Sequence, residues 1–588
     1  MLKAIALLGL LWLGPPATTR AQAPTWQTVL TPGAVAPHGS DISSTAADAN
    51  GNIYLVGSFS GNLRLGNILL ASAGQNDAFV AKYNPTTSTY LWARSYGGFD
   101  DDALYAVTVR GTAVYLAGGF RSRTLTLGSV TLQNQGAVNS SPTYSYNDGF
   151  VLKLTDQGTN PTVDWAQSVG SGDTDYIVAM TLNGNDLYVA GDFSGPSLTL
   201  GNLVVTNPQG TMNNPGGSYV AKLSDAGSTS TWRWALPLGS DISSRINAFT
   251  SVGTTLYLTA DFIGSQLQLG STLVAASTTT NFIARLTDTG STATVGWVQP
   301  LAENAYVTAL AATATSLYLG GLFSGPTLTV GPTTLTNAAA STQWPTEDLF
   351  VAKLTNLAAT PSYAWALSAG GLDREGLNTL VINGNNLYLA GTFFSNNVQF
   401  GPSLLVNTLS PVPQGLDAEL YVAKVADAGS SARFEWGQQA SGVGADVATS
   451  ITLHGTTVYV SGYVIGNPTT FGSLPVAVAT QNFLGFCATL TDNTLLATTP
   501  APALAGLRVF PNPARHSVQL QLPAAQPAAQ PLTLTLTDAL GRSVRSATVP
   551  AAQLATGYSL DLSGLAPGLY LVRLSNGGTL LTRQLVVE

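Results

Sequence analysis

The chain has 588 residues, of which only 9% are charged, and its formal net charge is −8. Such a chain offers no basic surface to neutralise the phosphates of a nucleic acid, so composition excludes nucleic-acid binding. The single cysteine, Cys487, excludes a disulfide within the chain. It stands where the repeats described below carry Val or Ile, which predicts a small buried hydrophobe.

The first residues have the layout of a secretory signal peptide. Met1-Leu2-Lys3 is followed by an apolar run from Ala4 to Gly14 and by small and polar residues up to Ala21. The run is too short to span a bilayer. We therefore predict that residues 1–21 are a signal peptide. No other stretch approaches about 18 uninterrupted apolar residues, which predicts a protein without a transmembrane segment.

Three motifs recur in step along the chain, with a period of about 60 to 75 residues. The first is a Tyr followed by Leu or Val, at Tyr54, Tyr115, Tyr188, Tyr257, Tyr318, Tyr388 and Tyr459. The second is a Phe-Val-Ala-Lys run or its variant, ending at Lys82, Lys153, Lys222, Arg285, Lys353, Lys424 and Thr489. The third is a Trp in a short apolar run, at Trp26, Trp92, Trp165, Trp234, Trp297, Trp365 and Trp436.

Each repeat reads as four antiparallel β-strands. In the second copy, the β-rich runs 104–109 and 113–118 are joined by Arg110-Gly111-Thr112, a hairpin signal. A polar insertion, the Phe-Val-Ala-Lys strand and the Trp strand follow. Seven such units predict an all-β fold in which a seven-bladed β-propeller occupies residues 22–492. A helical solenoid would need apolar residues at a spacing of 3.6, and a β-helix would need a shorter period.

The two ends of the array predict how the ring closes. The chain begins with a strand around Trp26, while the last repeat ends after the strand of Phe486 and has no Trp strand of its own. We predict that the N-terminal strand is the outermost strand of the seventh blade, whose inner strands come from about 445 to 490. Pairing the first strand with the last removes the exposed edges of an open array.

The repeats resemble the bacterial seven-bladed β-propeller repeat family. The resemblance is carried by the Gly97–Asp101 turn, the hairpin Asn50–Gly57 and the strand Phe79–Lys82, and weaker copies extend over about 25 to 492. The fifth repeat departs from the pattern, because Ala311-Ala312-Thr313 replaces the hairpin glycine. The family shares a fold and no catalytic set, so the resemblance implies architecture only.

After the repeats, residues 493–506 form a Pro/Ala/Thr linker, and residues 507–588 alternate apolar and polar residues as in a small β-sandwich. This tail resembles the type A C-terminal sorting domain of the type IX secretion system of Bacteroidetes. Its matching features are Val509–Pro513, the Asp538–Arg542 turn, the Leu-x-x-Gly-x-Tyr strand ending at Tyr570, and the terminal β-run.

The resemblance of the tail implies a route and two partners. The chain would cross the inner membrane by the Sec route and the outer membrane through the type IX translocon, and the sorting peptidase of that system would remove the tail. The body would then be released or attached to surface lipopolysaccharide. The alternative is an accessory sandwich that stays on the body as a binding module.

A catalytic constellation is not evident in the sequence. The three histidines, His38, His454 and His516, lie on different predicted elements, and neither zinc-type spacing nor a Gly-x-Ser-x-Gly motif occurs. We therefore predict a non-enzymatic protein with no catalytic and no cofactor-binding residues.

Acidic residues recur before the predicted innermost strands, at Asp41, Asp101, Asp173, Asp241, Glu303, Asp373 and Asp446. If those strands line the central channel, the seven acids would ring its mouth, where oxygen ligands suit Ca²⁺. The interpretation we favour is that each acid starts a turn by bonding backbone amides. A second set stands two residues before a glycine, as hairpin turns require, at Asp156, Asp225, Asp288 and Asp427.

The insertions between the second and third strands vary most, and they lie on the same face as the connections between blades. They contain Tyr144, Tyr146 and Trp344 among Asn, Thr, Ser and Gly, which suits stacking on sugar rings, although such aromatics also pack against their own blade. The leading hypothesis is an exported, monomeric propeller, secreted or on the outer cell surface, that binds a glycan or a surface protein. The alternatives are a glycan-active hydrolase or lyase using channel-mouth carboxylates, and a structural surface component.

Overall fold

The computed structural model describes residues 23–34, 39–136, 146–209, 216–275, 280–339, 346–407, 417–466, 468–476, 483–493, 507–521, 532–538, 543–575 and 580–588. The chain divides into two compact units, Met1–Leu495 and Leu496–Glu588. The predicted signal peptide, residues 494–506 of the linker, Tyr144 and Trp344 lie outside the described residues. Within the described ranges, no helix is long and apolar enough to cross a membrane.

The first unit consists of seven antiparallel blades of four strands each in the part of the chain that the structure describes. The chain enters through β1 (Trp26–Leu30) and the short β2 (Gly33–Ala34). Blade 1 is β3 (Ser44–Ala47), β4 (Ile53–Leu65), β5 (Ile68–Asn84) and β6 (Thr89–Tyr96). Blade 2 is β7 (Asp102–Arg110), β8 (Ala113–Phe120), β11 (Asp148–Asp156) and β12 (Pro161–Gly170), with an insertion hairpin of β9 (Thr124–Leu127) and β10 (Val130–Gln133).

The next two blades repeat this order. Blade 3 is β13 (Asp175–Asn183), β14 (Asp186–Phe193), β17 (Gly217–Asp225) and β18 (Ser230–Ser240), with the insertion hairpin β15 (Leu198–Leu200) and β16 (Leu203–Val205). Blade 4 is β19 (Ser243–Val252), β20 (Thr255–Ile263), β23 (Thr280–Asp288) and β24 (Ala293–Pro300), with the hairpin β21 (Gln266–Leu269) and β22 (Thr272–Ala275).

The last three blades complete the ring. Blade 5 is β25 (Ala305–Ala312), β26 (Leu317–Ser324), β29 (Glu347–Thr355) and β30 (Ser362–Ala369), with the hairpin β27 (Thr327–Val330) and β28 (Thr333–Thr336). Blade 6 is β31 (Glu375–Asn383), β32 (Asn386–Phe393), β35 (Glu419–Asp427) and β36 (Ala432–Gly442), with the hairpin β33 (Asn397–Phe400) and β34 (Ser403–Val406). Blade 7 is β37 (Asp446–His454), β38 (Thr457–Ile465), β41 (Phe483–Thr491) and β1, with the hairpin β39 (Thr469–Phe471) and β40 (Leu474–Val476).

The innermost strand of each blade contacts the innermost strand of the next, and β37 returns to contact β3. Apolar residues of adjacent sheets interdigitate between the blades; one such cluster joins Tyr54 and Val80 of blade 1 to Leu116 and Phe150 of blade 2. The predicted all-β fold, a seven-bladed propeller, is therefore confirmed.

The ring closes as the ends of the array predict. β1 runs antiparallel to β41, and the strand order of blade 7 is β1-β41-β38-β37. The pairing of β1 with β41 shows, however, that Trp26 does not occupy the position of the repeating Trp. In the other blades the repeating Trp lies opposite the Lys position, as Trp92 lies opposite Lys82, whereas in blade 7 Thr28 is opposite Thr489. Trp26 lies one bulge earlier and packs edge-on against Phe471, with ring centroids 5.1 Å apart.

The three sequence motifs recur because they meet at one point between adjacent blades. At the interface of blades 1 and 2, Lys82 Nζ and the Tyr54 hydroxyl each donate to Asp156 Oδ2 at 2.5 Å, and Trp92 Nε1 donates to Asp156 Oδ1 at 3.0 Å. Gly158 N completes the turn by donating to Asp156 Oδ1 at 2.8 Å. We call this arrangement the interblade latch. The Asp-x-Gly sequences are hairpin turns, as predicted, and their carboxylates also join two blades.

The latch recurs at four further interfaces, with the ion pairs Lys153–Asp225, Lys222–Asp288, Lys353–Asp427 and Lys424–Asp492. It is absent from two interfaces within the described residues. Between blades 4 and 5, Arg285 and Asn356 occupy the Lys and Asp positions, and Trp297 donates to the Leu357 carbonyl at 2.8 Å instead. Between blades 7 and 1, Thr489 and Pro85 occupy them. The repeat is thus regular in backbone but not in its interface chemistry.

Three insertion hairpins pair with the outer strand of the preceding blade. β15 pairs with β12, β21 with β18, and β39 with β36. Leu200 and Leu269 of these hairpins are fully buried. The strands at the base of these insertions therefore join neighbouring blades by hydrogen bonds. The loops of the insertions lie on one face of the propeller.

The second unit is a small two-sheet sandwich around one core. One sheet contains β42 (Arg508–Phe510), β43 (Ser517–Gln521) and β46 (Tyr558–Asp561), and the other contains β45 (Ser543–Val549), β44 (Leu532–Asp538), β47 (Gly568–Ser575) and β48 (Leu580–Val587), with α1 (Ala551–Thr556) between β45 and β46. Asn512 accepts a hydrogen bond from Val586 N at 2.8 Å and donates to the Gln584 carbonyl at 2.9 Å. The Pro-Asn-Pro sequence thus holds the start of the unit to its last strand.

The closure predicts a local effect of removing the first strand. Deleting residues 22–35 removes the outer strand of blade 7, so we expect amide hydrogen exchange to accelerate most in β41 and β38. A chain that starts at Pro24 keeps β1 and serves as the control. Uniform protection across all blades in the shortened chain would contradict this assignment.

The latch predicts a large cost for removing its carboxylate. Asp427→Asn leaves Lys353 buried without its countercharge, so we expect the free energy of unfolding to fall by about 3 to 5 kcal/mol. Urea titration followed by tryptophan fluorescence measures this loss. Asn356→Gly alters the corresponding position of a latch-free interface and should cost less than about 1 kcal/mol. Equal losses in the two variants would argue against the latch.

Candidate functional site

A cleft of about 930 Å³ opens at the inner strands of blades 2 to 4. The side chains that give it chemical character are those of Tyr105, Tyr176, Asp192, Arg245 and Asp261. Ser194 and Gly216, at the ends of the blade 3 insertion, also line it. The cleft therefore opens on the face that carries the insertions and the connections between blades.

Local strand geometry turns the two tyrosines of the cleft toward solvent. A bulge between Leu104 and Ala106 leaves Tyr105 outside the ladder of β7, and bulges of this kind redirect side chains. Tyr176 lies at the start of β13, opposite Asp192. Tyr105 is 37% exposed and Tyr176 is 43% exposed, whereas the repeating tyrosines of the second strands, such as Tyr115 and Tyr188, are fully buried.

The charged groups of the cleft come from blades 3 and 4. Asp192 Oδ1 accepts a hydrogen bond from Ile246 N at 3.0 Å, and Asp261 Oδ1 accepts one from Asn247 Nδ2 at 2.7 Å. Arg245 lies directly opposite Asp261 in the sheet. Burial raises the pKa of the Asp192 carboxyl to about 6; Asp261 adds to the rise, and Arg245 opposes it. The cleft thus combines aromatic faces with two carboxylates and one guanidinium.

A second cleft, of about 520 Å³, lies where blade 7 meets blade 1. It is lined by Asp41, Asn76, Tyr463 and Phe483 together with small polar residues. Asp41 accepts hydrogen bonds from Ser43 Oγ at 2.6 Å and from Ser58 N at 3.1 Å. Its carboxylate is therefore engaged in the turn that precedes β3.

Four of the seven candidate acids, Asp41 included, accept a hydrogen bond from a backbone N–H group. Backbone N–H groups donate to Asp173, Asp241 and Asp373, from Thr174, Ser265 and Arg374 respectively. Asp101 accepts from Asn76 Nδ2 at 2.7 Å and pairs with Arg121, while Glu303 is exposed. Within the described ranges, no group of three or more Asp, Glu, His or Cys side chains is placed to hold a metal ion.

Asp446 differs from the other six candidates. It is fully buried and is the first residue of β37, opposite Val464. Its structural equivalents are Asp102, Asp175 and Glu375, each of which opens an innermost strand. Sequence reasoning missed these three because each follows a candidate acid by one or two positions, and only the register identifies the buried member.

Each of these four buried acids lies close enough to a second buried acid, on the third strand of the preceding blade, for the two charges to repel each other. The pairs are Asp77 with Asp102, Asp148 with Asp175, Asp348 with Glu375, and Glu419 with Asp446, and we call them the interblade carboxylate pairs. All eight side chains belong to residues no more than 2% exposed. Burial, followed by repulsion from the partner acid, raises the pKa of Asp102 to about 6 and those of Asp175, Glu375 and Asp446 to about 8.

The described loop aromatic packs on its own blade. Tyr146 is half-buried, and its carbonyl accepts a hydrogen bond from Asn134 Nδ2 at 2.9 Å. A Cβ atom added at Gly136 would lie 2.7 Å from Tyr146 Cβ, so the two segments are in close contact. Among the aromatic residues proposed from the sequence, Tyr146 alone lies in the described residues.

Comparison with known families identifies the tail. Residues 508–588 match the model of the secretion system C-terminal sorting domain. The tail is therefore a type IX sorting domain, and the protein is secreted or lies on the outer cell surface. No curated protein sequence matches the chain significantly.

Solved structures similar to the chain include sialidases of Trypanosoma rangeli. The complex with the inhibitor DANA is 9% identical, with coverage of 85% of this chain and 86% of that chain and a TM-score of 0.33. The sialidase by itself is 9% identical over the same shares, with a TM-score of 0.32. Values this low do not relate individual residues of the two proteins.

The acids of the interblade carboxylate pairs and the acids of the latches predict opposite effects of pH on the stability of the fold. Raised pKa values at the interblade carboxylate pairs mean that the folded chain binds protons more tightly, so stability falls as pH rises from about 5 to 8. The latch acid Asp156 is different: burial would raise its pKa, but Lys82 and Tyr54 lower it below 3.8. Its contribution is lost as pH falls below that value.

We therefore expect the melting temperature in EDTA-containing buffer to be highest near pH 5. Scanning calorimetry from pH 3 to pH 9 measures the profile. Asp175→Asn removes one buried acid and should flatten the alkaline limb without changing the acid limb. A melting temperature that is constant or rises between pH 5 and pH 8 would contradict the prediction.

Proposed function

We propose that the propeller body binds a glycan in the cleft formed by Tyr105, Tyr176, Asp192, Arg245 and Asp261. The observation that carries this proposal is the pair of half-exposed tyrosines beside charged hydrogen-bonding groups in one open cleft. Tyrosine faces pack on the apolar faces of sugar rings, while carboxylates and guanidinium groups bond sugar hydroxyls and acid groups. Low overall charge is compatible with a neutral or weakly acidic polysaccharide as ligand.

The secretion route supports a ligand outside the cell. We infer that residues 1–21 are a signal peptide, that residues 22–492 are the mature body, and that the 493–506 linker and the 507–588 tail are separated from it by the sorting peptidase. The body would then act as a monomer at the surface or in the medium. A surface protein is the alternative ligand for the same cleft, since an exposed pair of tyrosines also suits a protein interface.

Binding of the purified full chain to a glycan array and to insoluble polysaccharides tests the proposal. Tyr105→Ala and Tyr176→Ala should each weaken binding of the selected glycan by about tenfold, which corresponds to about 1.4 kcal/mol. Tyr306→Ala is the matched control, because Tyr306 is 40% exposed and occupies the position on β25 that corresponds to Tyr176, outside the lining of the cleft. Absence of glycan binding, or equal losses in all three variants, would reject the site.

One observation favours a hydrolase as the second candidate function. Asp192 and Asp261 lie in the same cleft, and the raised pKa of Asp192 is the property expected of a general acid. The same polysaccharides, incubated with the chain and examined for products, decide between the two functions. If the protein is an enzyme, Asp192→Asn should abolish cleavage while binding remains; bound and uncleaved glycan would identify a binding protein.

A further inference from the structure

Among the described residues, four of the seven interfaces between blades contain an interblade carboxylate pair. Each pair joins the third strand of one blade to the innermost strand of the next, at the same register in every case. The register is defined by a residue on the second strand, such as Phe120, which lies opposite both Asp102 and Asp148 of its own blade. Equivalent positions can therefore be compared around the whole ring.

The two acids of a pair are present together or absent together. At the other three interfaces the equivalent positions are Gly217 with Ser244, Thr280 with Ala305, and Leu484 with Ser40. Within a single blade no such association holds, since blade 1 has Asp77 with Ser40 and blade 5 has Asp348 with Ala305. The acids thus occur as units across interfaces, which indicates that the two members of a unit share a ligand.

One oxygen of each first acid lacks a partner among the described residues. These oxygens are Asp77 Oδ1, Asp148 Oδ1, Asp348 Oδ1 and Glu419 Oε1. The other oxygen accepts a backbone hydrogen bond, for example from Ala73 N to Asp77 Oδ2 at 2.9 Å and from Gln135 N to Asp148 Oδ2 at 2.7 Å. A buried carboxylate oxygen without a donor is costly. The aspartate of each interblade latch, by contrast, forms an ion pair with a lysine.

A hydroxyl group accompanies the second acid of every pair. Ser122 Oγ donates to Asp102 at 2.7 Å, Ser171 Oγ donates to Asp175 at 2.8 Å, and Thr469 Oγ1 lies 3.4 Å from Asp446 Oδ1. Ser395 supplies the equivalent group beside Glu375. Each interface therefore brings two carboxylates and a hydroxyl together, and the donor set contains oxygen only.

This donor set selects a hard cation. Oxygen ligands without His or Cys suit Ca²⁺ and Mg²⁺, and Mg²⁺ keeps several waters and demands a regular octahedron. Two carboxylates that can each bind through one or both oxygens, a hydroxyl and retained water form an irregular oxygen set, which Ca²⁺ accepts and Mg²⁺ does not, so the site favours Ca²⁺. Extracellular modules bind Ca²⁺ with dissociation constants of about 10⁻⁴ to 10⁻³ M, and this protein is exported.

We propose that each interblade carboxylate pair binds one Ca²⁺ ion between adjacent blades. The ion would bond the unpartnered oxygen of the first acid and a carboxylate oxygen of the second. It would replace repulsion between two buried negative groups by attraction of both to one cation, and so join blades 1, 2 and 3 and blades 5, 6 and 7. These ions are structural, and none of the eight acids that would bind them lines the proposed glycan cleft.

Calcium binding by the purified full chain tests the proposal. After EDTA treatment and its removal, equilibrium dialysis against CaCl₂ with metal analysis should give one Ca²⁺ per pair, and the melting temperature should rise with CaCl₂ more than with MgCl₂. The double variant Asp77→Asn and Asp102→Asn should bind one ion fewer and remain folded by circular dichroism, because the amides keep the shape of the acids. Glu419→Gln with Asp446→Asn should behave alike.

Two controls make the outcome decisive. Asp373→Asn changes a turn acid outside the pairs and should leave the number of bound ions unchanged. Asp427→Asn lowers stability through the latch and should leave the calcium-dependent rise in melting temperature intact. Absence of bound Ca²⁺ at millimolar concentration, or an unchanged stoichiometry in both double variants, would overturn the proposal and leave shared protons as the role of the pairs.

Discussion

The propeller depends on a buried ion pair that joins neighbouring blades. In the latch, one aspartate receives a lysine, a tyrosine hydroxyl and a tryptophan N–H from the preceding blade, so its charge is compensated and both its oxygens are bonded. A buried pair of this kind adds little over apolar packing when complete, but it penalises every arrangement that separates its members. The latch therefore fixes the relative register of two blades, which apolar packing between flat sheets specifies less strictly.

The ring is chemically uneven around its axis. In the part of the chain that the structure describes, the interfaces between blades 4 and 5 and between blades 7 and 1 have neither the latch nor the carboxylate pair. The first depends on an apolar cluster that includes Val307, Leu319 and Phe350, and the second on an apolar cluster that joins Ile53 and Phe79 to Tyr459. Blades 1 to 3 and 5 to 7 form the more polar and more strongly specified arcs of the ring. The cleft of the candidate site spans blades 2 to 4, and so lies where one of these arcs ends.

Export and the proposed glycan binding belong to different parts of the chain. The tail matches the sorting domain and specifies passage to the outside, while the cleft belongs to the propeller. The side chains that matter in the two parts differ accordingly. The sandwich holds its first turn against its last strand through Asn512. The propeller exposes Tyr105 and Tyr176 on innermost strands, whereas tyrosines of the second strands, such as Tyr115 and Tyr188, are buried in latches. The proposed glycan site therefore uses side chains that the latches leave exposed.

The sequence by itself determined the repeat, the all-β class, the closure by the first strand and the nature of the tail, because strand periodicity and turn residues are local signals. It also placed Tyr54, Lys82 and Trp92 in register without revealing that they meet Asp156 of the next blade. Only the tertiary structure decided that meeting, the choice of Asp102 over Asp101 as the buried acid, and the grouping of Tyr105, Tyr176 and Arg245 in one cleft. Those outcomes depend on contacts between blades and on strand bulges, where a shift of one residue exchanges a buried side chain for an exposed one.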